Sequence, residues 1–372
     1  VENYAGIDVS LELSSVCVVD SQGKILKEAK VASEPDALVE FFETLGFAVN
    51  RIGLEAGPLS QWLHAGLQRA GFETVLLETR HVKAALSAMT VKTDRKDARG
   101  IAQLIRMGWF RAVHAKSIGA QEIRALLIAR KQLLGRLIDV ELSIRGILRG
   151  FGLKVGPVTR RNFEARIREL VAGQATLERI ATAMLSARSA LKVEYGRLHK
   201  TVLAIVRDNV VCRRLMTVPG VGPLVAITYK SAIDDPHRIV KSKAAGALFG
   251  LTPKKYQSGE KDVTGGVTLA GDEIVRTVLY EAANVLLSRI TRFSKLKRWG
   301  MDVAKRRGSK RAKVALARKL AVILHRIWVD GTTYRWTDAA RSQHRTRGEE
   351  LECNRAELSL VPEVPSPGRW IR

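Results

Sequence analysis

From Ala120 to Phe151 the apolar residues Ile123, Leu127, Leu134, Leu137, Ile144, Leu148 and Phe151 recur at steps of three, four or seven. That spacing lines one face of an α-helix, so the segment reads as one long amphipathic helix. After an interruption at Gly152 to Pro157, a second helical stretch runs from about Phe163 to Val211 with Leu170, Leu177, Ile180, Met184, Leu191, Leu198, Val202 and Ile205. Two such helices in opposite directions form either a coiled-coil arm or an ordinary helical bundle. Either way they separate an N-terminal part from a C-terminal one. A chain of 372 residues has room for two domains of the usual size, roughly 100 to 200 residues each, plus an appendage.

The N-terminal part alternates strands and helices. Tyr4 to Asp20 and Ile25 to Val31, interrupted by Ser21-Gln22-Gly23-Lys24, predict a hairpin of two or three strands. Pro35 opens a helix that Gly46 closes. A short strand Arg51–Glu55, a helix from about Leu59 to Ala70 and a strand Glu73–Leu77 follow. Strands first in a hairpin and then alternating with helices predict an α/β layer on a mixed sheet. The expected layout is residues 1–118 for this domain, 119–211 for the arm, 212–330 for a mainly helical C-terminal domain, and 331–372, with Pro362, Pro365 and Pro367, for a mobile tail.

Charge separates these parts functionally. The chain carries 62 Lys+Arg against 37 Asp+Glu, a net of +25, which implies a polyanionic partner, nucleic acid first. Residues 1–100 hold 14 acids to 11 bases, so the remainder carries +28. The polyanion surface and the N-terminal domain are therefore different things. A composition 46% hydrophobic and 27% charged excludes a fibre or a wholly disordered chain. Cys17, Cys212 and Cys353 fit neither a disulfide framework nor a zinc pattern, which predicts a reducing cytoplasm. No apolar run approaches the roughly 18 residues needed to cross a bilayer, so no membrane role is expected.

Four acids stand where chemistry could use them. Asp8 lies in Gly6-Ile7-Asp8-Val9-Ser10 on the first strand, and Glu55 ends Ile52-Gly53-Leu54-Glu55. A carboxylate on a buried strand needs a partner, because an unpaired one is costly. Asp94 and Asp97, spaced i, i+3 in Lys92-Thr93-Asp94-Arg95-Lys96-Asp97-Ala98, share a face if helical. Were the two strands neighbours, four oxygen donors could converge. All-oxygen ligation suits Mg²⁺ or Mn²⁺, and two such ions about 4 Å apart clamp the attacking and leaving oxygens of a phosphodiester. Taken singly, Asp94 and Asp97 also read as helix-start acids at the positive end of the dipole. Asp8 also reads as part of a phosphate-binding hairpin of the actin and sugar-kinase type, and Glu55 as a plain strand end.

Gly6-Ile7-Asp8-Val9-Ser10, Gly53-Leu54-Glu55-Ala56-Gly57 and Lys92-Thr93-Asp94-Arg95-Lys96-Asp97-Ala98 together resemble the Asp-Glu-Asp-Asp transposases of the IS110 insertion-sequence family. The resemblance spans roughly residues 4 to 330. It implies an N-terminal domain like the Holliday-junction resolvases, with an RNase H fold, and a metal quartet of Asp8, Glu55, Asp94 and Asp97. Leu11 stands where the family usually has a lysine.

In the C-terminal part, Thr217-Val218-Pro219-Gly220-Val221-Gly222-Pro223 is a Gly-x-Gly turn between helices. Gly220 and Gly222 would expose amides to a DNA backbone in the manner of a helix-hairpin-helix; a plain inter-helix turn reads equally from the residues. Leu248-Phe249-Gly250-Leu251-Thr252-Pro253 leads into Lys254-Lys255-Tyr256-Gln257-Ser258-Gly259. From composition alone Ser258 is a loop serine near Lys254, Lys255 and Lys261. A serine attacking a phosphodiester needs deprotonation and positive charge for the nonbridging oxygens. The resemblance gives Ser258 that part, as the nucleophile forming a covalent phosphoserine, with Ser242 and Ser231 in reserve. Leu269-Ala270-Gly271-Asp272 and Val275-Arg276 depart from the family's Lys and Asn before its Leu-Arg pair. Lys305-Arg306-Arg307, Lys310-Arg311, Lys313 and Arg318-Lys319 alternate with apolar residues, one face for the core and one for phosphate or solvent.

The sequence thus reads as a DNA recombinase of an insertion sequence. The resemblance further implies a structured noncoding guide RNA and a homo-oligomer, a dimer or tetramer, in which the acids and the serine that act together come from different protomers. The competing reading is a metal-dependent junction endonuclease that hydrolyses DNA without a covalent intermediate.

Overall fold

The computed structural model describes residues 2–87 and 93–336. In its first compact unit, which ends at Gln121, the expected hairpin is three antiparallel strands: β1 (Asn3–Asp8), β2 (Leu13–Asp20) and β3 (Ile25–Ala32). Asp20 closes the β2–β3 turn, its Oδ1 accepting the backbone N–H of Gln22 and of Lys24, both at 2.9 Å. Then come α1 (Pro35–Glu43), β4 (Arg51–Glu55), α2 (Ser60–Arg69), β5 (Thr74–Leu77), α3 (Thr79–Leu86), α4 (Asp94–Arg106) and the short β6 (Ala112–Val113). The sheet order is β3-β2-β1-β4-β5-β6, with β4 parallel to β1 and β5 parallel to β4. The mixed α/β sheet read from the sequence is present.

Strand alternation assigns the two faces. Ala5, Ile7, Ile52 and Leu54 join Leu38, Phe42, Leu63 and Leu67 in one buried cluster under α1 and α2. The intervening residues Gly6, Asp8, Gly53 and Glu55 therefore point to the opposite face, where α4 lies. There a Cβ at Gly6 would collide with the backbone of Ala98 and Ala102, and one at Gly53 with the side chain of Ile105. Only glycine lets the helix settle this close.

The second unit, from Glu122 on, contains most of α5 (Ile118–Gly150), then α6 (Phe163–Val171) and α7 (Ala175–Asp208). The long second helix expected from Phe163 to Val211 is broken. Gly173, at φ +80, turns the chain between α6 and α7, and its N–H is taken by Glu178 at 2.8 Å. Leu127 clusters with Val202 and Val206, while Ile144 and Leu148 cluster with Leu177, Ala181 and Leu185, so α5 and α7 run antiparallel.

Beyond them are α8 (Val210–Leu215), α9 (Pro223–Ile233), two 3-10 turns (Pro236–Arg238 and Ser242–Ala244), α10 (Ala245–Leu248), the antiparallel hairpin β7 (Pro253–Ser258) and β8 (Lys261–Val267), then α11 (Glu273–Ser288), α12 (Lys295–Arg307) and α13 (Ser309–Asp330). Their core includes Tyr229, whose hydroxyl donates to the Ala321 carbonyl at 2.7 Å. Order extends past the boundary expected at residue 330. The Tyr334 N–H donates to Thr217 Oγ1 at 2.8 Å, and the Arg292 guanidinium lies 4.1 Å from the centre of the Trp336 ring. Lys92, Cys353 and most of the expected tail lie outside the described residues.

Candidate active site

Asp8 and Glu55 end neighbouring parallel strands. The β1–β4 register pairs Gly6 with Gly53 and Ile7 with Leu54, and one more step sets Asp8 beside Glu55. Each acid sits two residues after a helix-contacting glycine, and so on the α4 side of the sheet. The direction of α4 then decides what the acids meet. Its last turns lie over the β2–β3 turn: Gln103 donates to the Gly23 carbonyl at 2.8 Å and Arg106 to that of Ser21 at 3.1 Å. Asn3 pairs with Asp20, which puts that turn at the start of β1. The N-terminal turn of α4 is therefore at the other end, with Asp8 and Glu55.

Asp94 and Asp97 precede Ala98 and Ile101 by four residues each. They continue the buried stripe of Ala98, Ile101, Ala102 and Ile105 one turn beyond the sheet. The four acids of the sequence reading are thus carried to one end of one face. Asp8, Glu55 and Asp97 are half-buried and Asp94 is exposed. Thr93 caps the helix, its Oγ1 accepting the Lys96 N–H at 3.3 Å, and the positive end of the helix favours both aspartates. Four carboxylates without His or Cys are the donor chemistry of a hard cation. Among the described residues, no three of His, Cys, Asp and Glu stand close enough to ligate one ion as they are.

Two supports were not legible in the sequence. Ser60, fully buried, donates to the Glu55 carbonyl and accepts the Gly57 N–H at 3.1 Å, fixing the backbone that presents Glu55. Glu28 on β3 is bonded by the guanidinium groups of both Arg99 and Arg95. Those charge-assisted hydrogen bonds hold its carboxyl down at about 2 and fasten the first turns of α4 to the sheet.

Ser258 is the last residue of β7, paired with Lys261 across the two-residue tip Gly259-Glu260. Gly259 has φ +54, as the first position of a II′ hairpin turn asks. Every residue of β7 is exposed. Lys254 and Lys261 are exposed nearby, while Lys255 is paired with Asp262 at 3.2 Å. The base of the hairpin is fixed instead. Arg276 donates to the carbonyls of Phe249, Ala270 and Gly271 at 3.0 to 3.2 Å. Gly250 and Gly271 let those two loops cross where a Cβ would strike backbone.

The reserve serines separate clearly. Ser231, 2% exposed, donates to the Thr228 carbonyl at 3.2 Å inside α9. Ser242 is bonded to His325 Nδ1 at 2.9 Å, and His325 Nε2 to the Pro236 carbonyl, also at 2.9 Å. A carbonyl only accepts, so Nε2 donates to it, and in the neutral ring the Ser242 hydroxyl donates to Nδ1. In the Gly-x-Gly turn, Gly220 is spent on packing: a Cβ there would meet the Ala282 carbonyl at 2.5 Å. Gly222, which precedes α9, faces open space. Arg306 and Arg307 end α12, and Lys310 and Arg311 open α13; all four are exposed.

Comparison with known proteins places these sites in two matched segments. The Asp-Glu-Asp-Asp transposase domain of IS110, described as "Transposase", matches residues 5–152, which include all four acids. The "Transposase IS116/IS110/IS902 family" matches residues 212–298, which include Ser258. The chain is 28% identical over 338 residues to the transposase for insertion sequence element IS1111A of Coxiella burnetii, covering 89% of this chain and 90% of that one. It is 25% identical over 344 residues to a probable family 20 transposase of Pseudomonas aeruginosa, covering 89% and 98%. Among solved structures, Thermus thermophilus RuvC in complex with Holliday junction substrate matches 30% of this chain and 100% of its own at 16% identity. Its TM-score is 0.25, and at that value the likeness decides nothing about the fold.

Proposed function

Because the chain belongs to the IS110 family of insertion-sequence transposases, we propose that it cleaves and rejoins DNA through a phosphoserine at Ser258, with a divalent metal held by Asp8, Glu55, Asp94 and Asp97. The observation that carries the acid half is the Gly-x-acid alternation of β1 and β4, which sends Asp8 and Glu55 to the end of the mixed sheet where the first turn of α4 brings Asp94 and Asp97.

In this reading Ser258 Oγ attacks the scissile phosphorus. One phosphodiester bond breaks as the Oγ–P bond forms, and the proton released by the Ser258 hydroxyl is balanced by the one the departing deoxyribose oxygen takes up. A hydroxyl of the second strand then attacks the same phosphorus, a phosphodiester forms as the Oγ–P bond breaks, and Ser258 Oγ recovers a proton in exchange for the one the hydroxyl loses. Bonds are exchanged one for one, so no outside energy source is required. Lys254 and Lys261 offer charge to the nonbridging oxygens. When bound, Mg²⁺ or Mn²⁺ would supply Lewis-acid stabilisation of the phosphate. Ser60 and the Glu28–Arg95–Arg99 cluster keep the acids presented. The excess of +28 beyond residue 100 suits a load of DNA and a structured guide RNA from the element, within a homo-oligomer.

The test is a denaturing gel of protein incubated with the element's flanking DNA, its noncoding RNA and Mg²⁺. Wild type is expected to form a covalent protein–DNA adduct that maps to Ser258, absent in Ser258→Ala and Asp8→Ala. Free cut ends that persist in Ser258→Ala would instead establish hydrolysis.

A further inference from the structure

Between the base of the β7–β8 hairpin and α13 lies a cavity of about 720 Å³, within the range of sites that hold small organic groups. Its walls are apolar on both sides. Pro253 and Val267, paired across the hairpin, form one. Val314 and Val322, two turns apart on α13, form the other, and Trp299 of α12 also lines the cavity. Cationic side chains line it as well, Lys310, Arg311, Arg318 and Lys319 alternating with those apolar residues along α13. Lys319 Nζ lies 4.1 Å from the centre of the Trp299 ring, holding positive charge directly over the aromatic surface.

A largely apolar cavity lined also by four cationic side chains suits one kind of group: an aromatic heterocycle joined to phosphate. An apolar peptide would find no use for the cations, and duplex backbone none for the apolar walls. We propose that this cavity receives an unpaired DNA base, its sugar-phosphate chain running along Lys310, Arg311, Arg318 and Lys319. The choice of DNA rests on the Ser258 reading. The hairpin that walls the cavity with Pro253 carries Ser258 at its tip, about 16 Å further along the strand at about 3.3 Å per residue. A base lodged at the hairpin's foot therefore lies within a few nucleotides of the phosphate at its tip. Extruding a base and seating it against apolar and aromatic side chains anchors a strand without reading sequence.

The test uses full-length Ser258→Ala protein, so that the result does not depend on whether Ser258 forms an adduct. Its affinity is measured for (dT)20 and for a 20-unit strand of abasic deoxyribose phosphates. The (dT)20 strand is expected to bind about tenfold more tightly or better, the range of base stacking on protein. Adding Ala315→Phe, which fills the slot from α13, should bring (dT)20 down to the abasic level and leave abasic binding unchanged. Should that variant melt early, Val322→Phe takes its place. Adding Lys310→Ala with Arg311→Ala should weaken both strands alike and flatten the salt dependence. Equal binding of (dT)20 and the abasic strand, or an Ala315→Phe protein that still distinguishes them, would overturn the proposal. Equal base dependence with (rU)20 would overturn the assignment to DNA.

Discussion

The acid-bearing sheet end and the serine-bearing hairpin are built on opposite principles. Asp8 and Glu55 are the last residues of buried strands, and their helix partner is held by two glycine contacts, a cap and two arginines. Ser258 stands at the tip of a ribbon exposed along all of β7, fixed at its foot by Arg276 and by the backbone bonds of Thr268 to Thr252 and Leu269 to Gly250. The difference lies in what places each group: the acids are set by packed strands and a clamped helix, and Ser258 by a two-residue turn at the end of an exposed ribbon. Four substitutions break or sharpen that contrast, ordered by their expected effect on folding.

Gly6→Ala should do the most damage. Its Cβ would press on the backbone of Ala98 and Ala102, which cannot rotate aside, so α4 must lift from β1. The cost is about 3 kcal/mol, the upper end for overpacking, read as a lower urea midpoint of the full chain. Stability equal to wild type would show that α4 does not need this contact to hold Asp94 and Asp97.

Ser60→Ala comes next, at about 1 to 2 kcal/mol, since it leaves the half-buried Glu55 carbonyl and the Gly57 N–H each short of a protein partner. The more telling readout is cleavage. The Mg²⁺ concentration for half-maximal adduct should rise several-fold while adduct formation at saturating Mg²⁺ recovers. Unchanged Mg²⁺ dependence would separate Ser60 from the presentation of Glu55.

How far the sequence foretold these regions follows from the same contrast. The sheet end was legible because buried strands leave a period of two, and Gly-Ile-Asp and Gly-Leu-Glu each place a glycine and an acid on one face. Ser60 was not legible, because nothing local marks a serine that bonds five residues back. The β7–β8 hairpin reads as a loop in the sequence. Lys254-Lys255-Tyr256-Gln257-Ser258 faces solvent on both sides and carries no apolar alternation. Gly173 reads as one more helical position, since Leu170 and Leu177 keep the period on either side of the break. The basic and apolar alternation of α13 was visible, but the slot above it needs the hairpin, and so was not.

Glu28→Gln tests the arginine clamp through pH. The carboxyl of Glu28 is held at about 2, below its ordinary 4.5. The folded chain therefore binds fewer protons than the unfolded chain between those values. The stabilisation is complete above about pH 4.5 and lost as pH falls toward 2. With Arg95 largely exposed, solvent screening reduces the gain to about 1 kcal/mol. Acid unfolding of Glu28→Gln should lack this component, giving a flatter loss of stability from pH 4.5 downward and a slightly less stable protein at pH 7. A wild-type acid profile in the variant would release α4 from the clamp.

Gly259→Ala should affect folding least. At φ +54 an alanine costs about 1 to 2 kcal/mol of left-handed strain, but the strain falls on a two-residue tip that packs against no core. The hairpin can relieve it by fraying from Ser258 and Lys261 inward, leaving the urea midpoint of the whole chain unmoved. Fraying displaces Ser258, so the adduct should form several-fold more slowly, with its Mg²⁺ dependence as in wild type. That combination is the mirror image of Ser60→Ala, which shifts Mg²⁺ dependence and spares the saturated rate. A Gly259→Ala protein that reacts at the wild-type rate would mean that incoming DNA, and not the turn, sets the position of Ser258.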